Sequence, residues 1–263
     1  MAARSMRPPR ASTGPSARAS LAVALLCALL AGCANTPQQQ EMAELAPKES
    51  PADLYVNMAA AYYQSGKLDI ALERGLRALR EDRKNPKAHY VLGIVYQALG
   101  KTTEAAQSLA EAVRLDPDNP DFHNARGSLL CLQQRYGEAL AEFQQALQNP
   151  LYKTPEVALV NAADCTRRAG DATASERYLR EALSRNAQYA PALMAMARLN
   201  YQRGAYLDAR GYLARYSRSG PATPEALLLA YRIETALGNR NDAKALARQL
   251  RQRFPDSPQI MQL

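Results

Sequence analysis

Four cysteines and two histidines carry the widest chemical repertoire in this chain of 263 residues. A thiol can ligate metal, attack an electrophile, pair with a second thiol or accept an acyl chain. Spacing narrows that choice. His89 and His123 lie 34 residues apart, and no Cys or His pair stands at the short intervals of a metal site. Neither a Gly-rich phosphate loop nor a nucleophile motif occurs. With no Trp and three Phe, the chain is not built to stack nucleic-acid bases. No catalytic constellation is present, so the chain is expected not to be an enzyme. No cofactor, metal, nucleic acid or small-molecule substrate is expected.

Cys33 differs from the other thiols in its surroundings. It closes the string Leu30-Ala31-Gly32-Cys33 at the end of the apolar run from Leu21 to Leu30. Ahead of that run stand Arg4, Arg7, Arg10 and Arg18, with no acidic residue. This is the order of a secretory leader: basic region, apolar region, small-residue cleavage site. The string resembles the bacterial lipobox. That resemblance implies cleavage before Cys33 and lipid on its sulfur and amine. Ten apolar residues are too few to span a bilayer, which takes about 20. Acyl chains contribute about 0.8 kcal/mol per buried methylene and anchor stably when there are several. Ala34 follows the cysteine, and by the sorting rule for diderm lipoproteins that implies the outer membrane. Residues 34–51 are polar, with three prolines, and read as a tether with a reach of roughly 25 Å. The expected organisation is leader 1–32, lipidated tether 33–51 and folded domain 52–263.

Without the leader, 29 bases face 25 acids, a net charge of +4 over 231 residues. That balance does not suit nucleic acid. It is uneven along the chain, since residues 186–263 hold 11 bases and 5 acids. Such an end can attract an acidic partner or anionic lipid, or be solvated arginine.

The folded part repeats. Gly66 and Gly100 are 34 residues apart, as are Gly170, Gly204 and Gly238 among themselves, and Gln134 fills the corresponding place in the third unit. Two residues are inserted around Asn149–Pro155. A 34-residue helix–turn–helix period is the tetratricopeptide signature. Six units start near Ala52, Pro86, Pro120, Glu156, Ala190 and Pro224, so the predicted fold is an all-α, right-handed superhelical solenoid of six helix pairs. Counting positions from each unit's first residue, small residues hold position 8 (Ala59, Gly93, Gly127, Ala163, Ala197), where the two helices approach closely. Position 20 holds Ala71, Ala105, Ala139, Ser175, Ala209 and Ala243. Unit six departs, with Tyr231 at position 8, as terminal repeats often do. The two histidines share position 4 because the repeat places them there, which favours packing over ligation.

The first helix of each pair lines the inner curve of such a solenoid. By resemblance to tetratricopeptide proteins, positions 2, 5, 9, 12 and 13 face it. In units one to three these include Val56, Tyr63, Tyr90, Ile94, Asn124, Cys131 and Leu132, an expected groove for a segment of another protein. Units four and five turn polar there, with Asp164, Arg167, Arg168 and Arg198 around Met194 and Tyr201. Cys131 falls in the groove and Cys165 in the buried stripe. Neighbouring helix axes lie about 8–10 Å apart, so these two thiols are expected to stay free.

A lipobox, a polar tether and six repeats together resemble the type IV pilus biogenesis and stability lipoproteins, the PilF/PilW-type pilotins. Two stretches carry the similarity beyond generic repeat residues: FQQALQNPLYKTPEVALVNAADC across the insertion, and TPEALLLAYRIETALGNRNDAKALARQLRQRFPDSP at the end. The resemblance implies lipidation at Cys33, residence on the periplasmic face of the outer membrane, and binding of the secretin subunit to promote its localisation and multimerisation. The alternative is another periplasmic repeat scaffold, serving outer-membrane assembly or cell-wall synthesis.

Overall fold

The computed structural model describes residues 49–263; the leader, Cys33 and nearly all of the tether lie outside the described residues. Those residues form twelve α-helices and a terminal 3-10 helix, with no strand among them. The helices come in six pairs: α1 (Pro51–Gln64) with α2 (Leu68–Glu81), α3 (Pro86–Ala98) with α4 (Thr102–Leu115), and α5 (Pro120–Leu132) with α6 (Tyr136–Gln148). Then follow α7 (Pro155–Arg168) with α8 (Ala172–Arg185), α9 (Ala190–Gln202) with α10 (Tyr206–Ser219), and α11 (Pro224–Ala236) with α12 (Arg240–Arg253). The all-α tetratricopeptide architecture expected from the period is the one observed.

Local chemistry sets both ends of the odd-numbered helices. Each carries proline in its first turn, where the missing N–H is not needed. Ser50, Asn85, Asn119 and Thr223 accept backbone N–H bonds as N-caps. Each of these helices then ends in a Schellman turn, such as Lys67 N–H to Tyr62 O at 2.9 Å. The turn needs a left-handed residue. Five repeats supply glycine, and Gln134 takes φ 63° in the third, with Arg135 N–H donating to Leu130 O at 2.9 Å.

Within a pair, close approach is enforced by absent side chains. A Cβ on Gly93 would stand 2.5 Å from Leu109 Cγ; one on Gly127 would meet Phe143 Cε1 at 2.8 Å and Ala139 O at 3.1 Å. Leu109 and Phe143 are fully buried in return. Among the described residues, helix contacts occur within a pair or between adjacent pairs, so stability accumulates repeat by repeat. Successive first helices touch one another (α1 with α3, α3 with α5, and onward), whereas successive second helices do not. The odd-numbered helices therefore crowd the inner curve.

Both ends of the pattern have local solutions. Pro258 stands 34 residues after Pro224, so the 3-10 helix Pro258–Gln262 takes the place at which the period would open a further unit. Ile260, Leu263 and Tyr231 pack with Leu227, Leu228 and Leu250. The atypical Tyr231 thus helps close the stack. In the insertion, Asn149 Nδ2 donates to Asp118 O at 2.8 Å, and Tyr152 is buried with Ala146 and Ala158.

The two position-4 histidines reach back the same distance. His89 Nε2 is 3.1 Å from Arg83 O, and His123 Nε2 is 2.8 Å from Pro117 O. His123 is buried, and its Nδ1 is 2.7 Å from Glu142. Two acceptors on two ring nitrogens favour the imidazolium. The hydrogen bond that His123 Nδ1–H donates to Glu142 raises the His123 pKa above its ordinary value, burial opposes it, and Pro117 O adds to the rise. A raised folded pKa gives stability that is complete below about pH 6.5 and is lost as pH climbs through the folded value. His123→Gln is therefore expected to lower the thermal midpoint more at pH 6 than at pH 9. Equal losses at both pH values would show that the imidazolium contributes nothing.

One expectation is overturned. Cys131 and Cys165 form a disulfide between α5 and α7, with Cα atoms 5.6 Å apart. The axis separation of two helices does not bound the distance between facing residues. Each Cα stands about 2.3 Å off its axis, so facing Cα atoms lie several ångströms closer than the axes.

Candidate functional site: the inner curve of the repeat stack

The structure sorts the seven residues expected in the groove. Val56 is buried against Ala59, Ala78, Ala88 and Val91. It belongs to the core, because α3 covers it and valine is too short to emerge. Cys131 is buried in the disulfide and offers no free thiol. These two are corrections to the expected surface.

The other five reach the inner curve to different degrees. Tyr63 is 36% exposed and Leu132 50% exposed. Ile94 is half-buried. Tyr90 is also half-buried, its ring centroid 5.0 Å from that of Phe122. Burial pushes its hydroxyl pKa up to about 12, with the charges of Asp121 and Tyr63 adding to the effect. It therefore stays a neutral donor at physiological pH. Asn124 Oδ1 accepts from Asn161 Nδ2 at 2.9 Å, tying α5 to α7 across the curve. What α1, α3 and α5 present is thus an interrupted apolar strip of Tyr63, Ile94 and Leu132, edged by Tyr90 and Asn124.

Beside Leu132 a cavity of about 210 Å³ opens, lined by Gln97, Ser128, Cys131, Asn161, Asp164 and Arg168. Beyond it the surface becomes ionic. Asp164 takes Arg167 at 2.5 Å and Arg168 at 2.6 Å. Burial opposes its charge, yet the two arginine hydrogen bonds hold its pKa below the ordinary carboxylate value. A second cavity of about 210 Å³ lies between Asp164, Arg167 and Arg198. A third, of about 320 Å³, is bounded by Arg198, Tyr201, Arg232 and the C-terminal Gln262.

Sequence reasoning missed several of these. Arg232 stands 34 residues after Arg198, at the same repeat position, and that offset was a usable signal. Gln97 holds position 12, the groove position of Tyr63 and Cys131, so its place too was a usable signal; Asn161, at position 6, stands outside the expected groove positions. Gln262 arrives only because the tail folds back. Among the described residues no group of three or more His, Cys, Asp or Glu could hold a metal, and no helix is long and apolar enough to cross a membrane. The inner curve offers a concave surface of apolar side chains followed by arginines.

Known proteins share this architecture. A tetratricopeptide repeat model matches residues 56–120, 90–152 and 162–224, and a second tetratricopeptide model matches residues 226–257. The type IV pilus assembly protein PilF of Pseudomonas aeruginosa is 26% identical over 240 residues, 91% of this chain and 95% of that protein. The crystal structure of PilW, a widely conserved type IV pilus biogenesis factor, aligns with a TM-score of 0.73 at 31% identity, over 80% of this chain and 97% of PilW. The structure of Pseudomonas aeruginosa PilF aligns with a TM-score of 0.69 at 25% identity, over 80% of this chain and 95% of that one.

Proposed function

This chain belongs to the PilF/PilW-type tetratricopeptide family of type IV pilus biogenesis factors, and from that premise we propose that it is a lipid-anchored pilotin of the outer membrane. In this reading Cys33 carries the acyl chains and the tether gives reach from the periplasmic face. The inner curve binds the secretin subunit and promotes its membrane localisation and assembly into multimers. The observation that carries the reading is the strip of Tyr63, Ile94 and Leu132 across three successive first helices. Two exposed apolar side chains and a half-buried one, on successive helices of a concave face, offer a surface that a partner can cover. The disulfide adds support, because such bonds persist in oxidising compartments such as the periplasm.

No reaction is required. A lipid anchor restricts the chain to the membrane, and a bound client shares that restriction, which raises its local concentration where assembly must occur. Anchor and groove have separate jobs and separate tests. Cys33→Ala removes the acylation site, so the protein is expected to leave the membrane fraction and to lose the lipid mass from its N-terminal peptide. A Cys33→Ala protein that still fractionates as a lipoprotein would sink the anchoring part. Crosslinking in outer membranes followed by capture of this chain tests the partner. Recovery of secretin supports the reading; recovery of barrel-assembly or cell-wall synthesis subunits instead would replace it with the general scaffold.

A further inference from the structure

Four arginines line the inner curve of units four to six, and three of them are held. Arg167 and Arg168 are taken by Asp164. Arg232 Nη2 donates to Gln262 Oε1 at 2.7 Å. Arg198 is exposed, and among the described residues it makes no ion pair, hydrogen bond or ring contact. It also lines both the second and the third cavity.

A guanidinium offers five donors in a rigid fork and no acceptor, and that fork matches a carboxylate bidentately. The surrounding groups leave the position open to an anion. Two acids line the same clefts: Asp164, neutralised by its two arginines, and Glu225, whose Oε1 accepts from Gln259 Nε2 at 2.8 Å and whose single charge stands against both Arg198 and Arg232 in the third cavity. Arg232 is held only by a neutral amide from the terminal 3-10 helix, a partner that a carboxylate can displace at a gain in charge. Residues 186–263 carry 11 bases against 5 acids, which adds a longer-range attraction.

We propose that the inner curve of units four to six receives an acidic stretch of the client polypeptide, with one side-chain carboxylate seated on Arg198 and assisted by Arg232. This rests on the reading of the inner curve as the docking groove, and it assigns chemistry to the half of that groove which the apolar strip does not reach. The client would lie with an apolar portion on α1, α3 and α5 and an acidic portion on α7, α9 and α11. A flat anionic membrane is the poorer fit, because Arg198 lines clefts on a concave face.

Fluorescence anisotropy on the detergent-solubilised mature protein tests this with a labelled extended peptide of alternating Asp and Ser, and with the same peptide carrying Lys for Asp. The Asp peptide is expected to bind, more weakly as salt rises, and the Lys peptide is not. Arg198→Gln with Arg232→Gln is expected to weaken the Asp peptide about tenfold or more, with helical content unchanged. Tyr63→Ser, Ile94→Ser and Leu132→Ser together are expected to leave that affinity intact. If that triple variant still binds secretin fully while the arginine variant loses the peptide, the apolar-groove reading fails and this proposal stands. An Asp peptide that does not bind, or that binds the arginine variant equally well, overturns the proposal. So does protein that sediments with phosphatidylglycerol vesicles through Arg198 while ignoring the peptide, since Arg198 then serves a lipid surface.

Discussion

Replacing Cys131 and Cys165 together by alanine is expected to lower the stability of the repeat stack by about 2–4 kcal/mol. The bond joins residues 34 apart in sequence, so it closes a long loop in the unfolded chain. Its place in the stack adds to the effect. Units one to three meet units four to six only through α5 with α7 and α6 with α7. The two inserted residues lie at that same junction. Removing the covalent link there should lower the denaturation midpoint of the whole stack. Alanine is the right replacement, because both sulfurs are buried and serine would bury a hydroxyl without a partner. Reductant should act on the wild type as the double substitution does, and thiol titration of unreduced, denatured protein should find neither cysteine free. A midpoint insensitive to both treatments would contradict the covalent junction.

The second large effect concerns the client. Tyr63→Ser, Ile94→Ser and Leu132→Ser together should weaken binding of the purified secretin subunit by about 100-fold or more, that is about 2.7 kcal/mol. Buried anchors at an interface can each be worth about 2 kcal/mol, so the estimate allows for incomplete burial. Tyr90 is left in place on purpose. Its ring packs on Phe122 at 5.0 Å, and truncating it would mix lost stability with lost binding. The triple variant should keep its melting curve, since Tyr63 and Leu132 are exposed and Ile94 only half-buried. Titration calorimetry that returns the wild-type affinity would move the client off the apolar strip.

Much of the fold was legible because the repeat states each rule several times. Gly93 and Gly127 reveal where Leu109 and Phe143 press against the first helix. The terminal glycines mark a left-handed turn so regularly that Gln134 was identified by place despite its type, and it does take positive φ. The groove was less legible because a repeat position fixes direction and not reach. Position 5 holds Val56, Tyr90 and Asn124 in the first three units. Valine ends beneath the neighbouring helix, tyrosine passes it, and asparagine is held by Asn161. The disulfide was missed because an axis spacing was applied to facing residues. The terminal turn keeps the period at Pro258 but folds as a 3-10 helix, so the contact of Gln262 with Arg232 had no counterpart in the other units.

The central claim is that this chain enables secretin assembly through its inner curve. The most direct test counts secretin multimers in outer membranes of a strain lacking the chain and then supplied with wild-type or variant protein. The account predicts that the strain makes secretin subunit but no stable multimer. Wild-type protein should restore the multimer, and the Tyr63, Ile94 and Leu132 variant should not, although it is folded and membrane-bound. Normal multimers in the strain that lacks the chain would contradict the account outright.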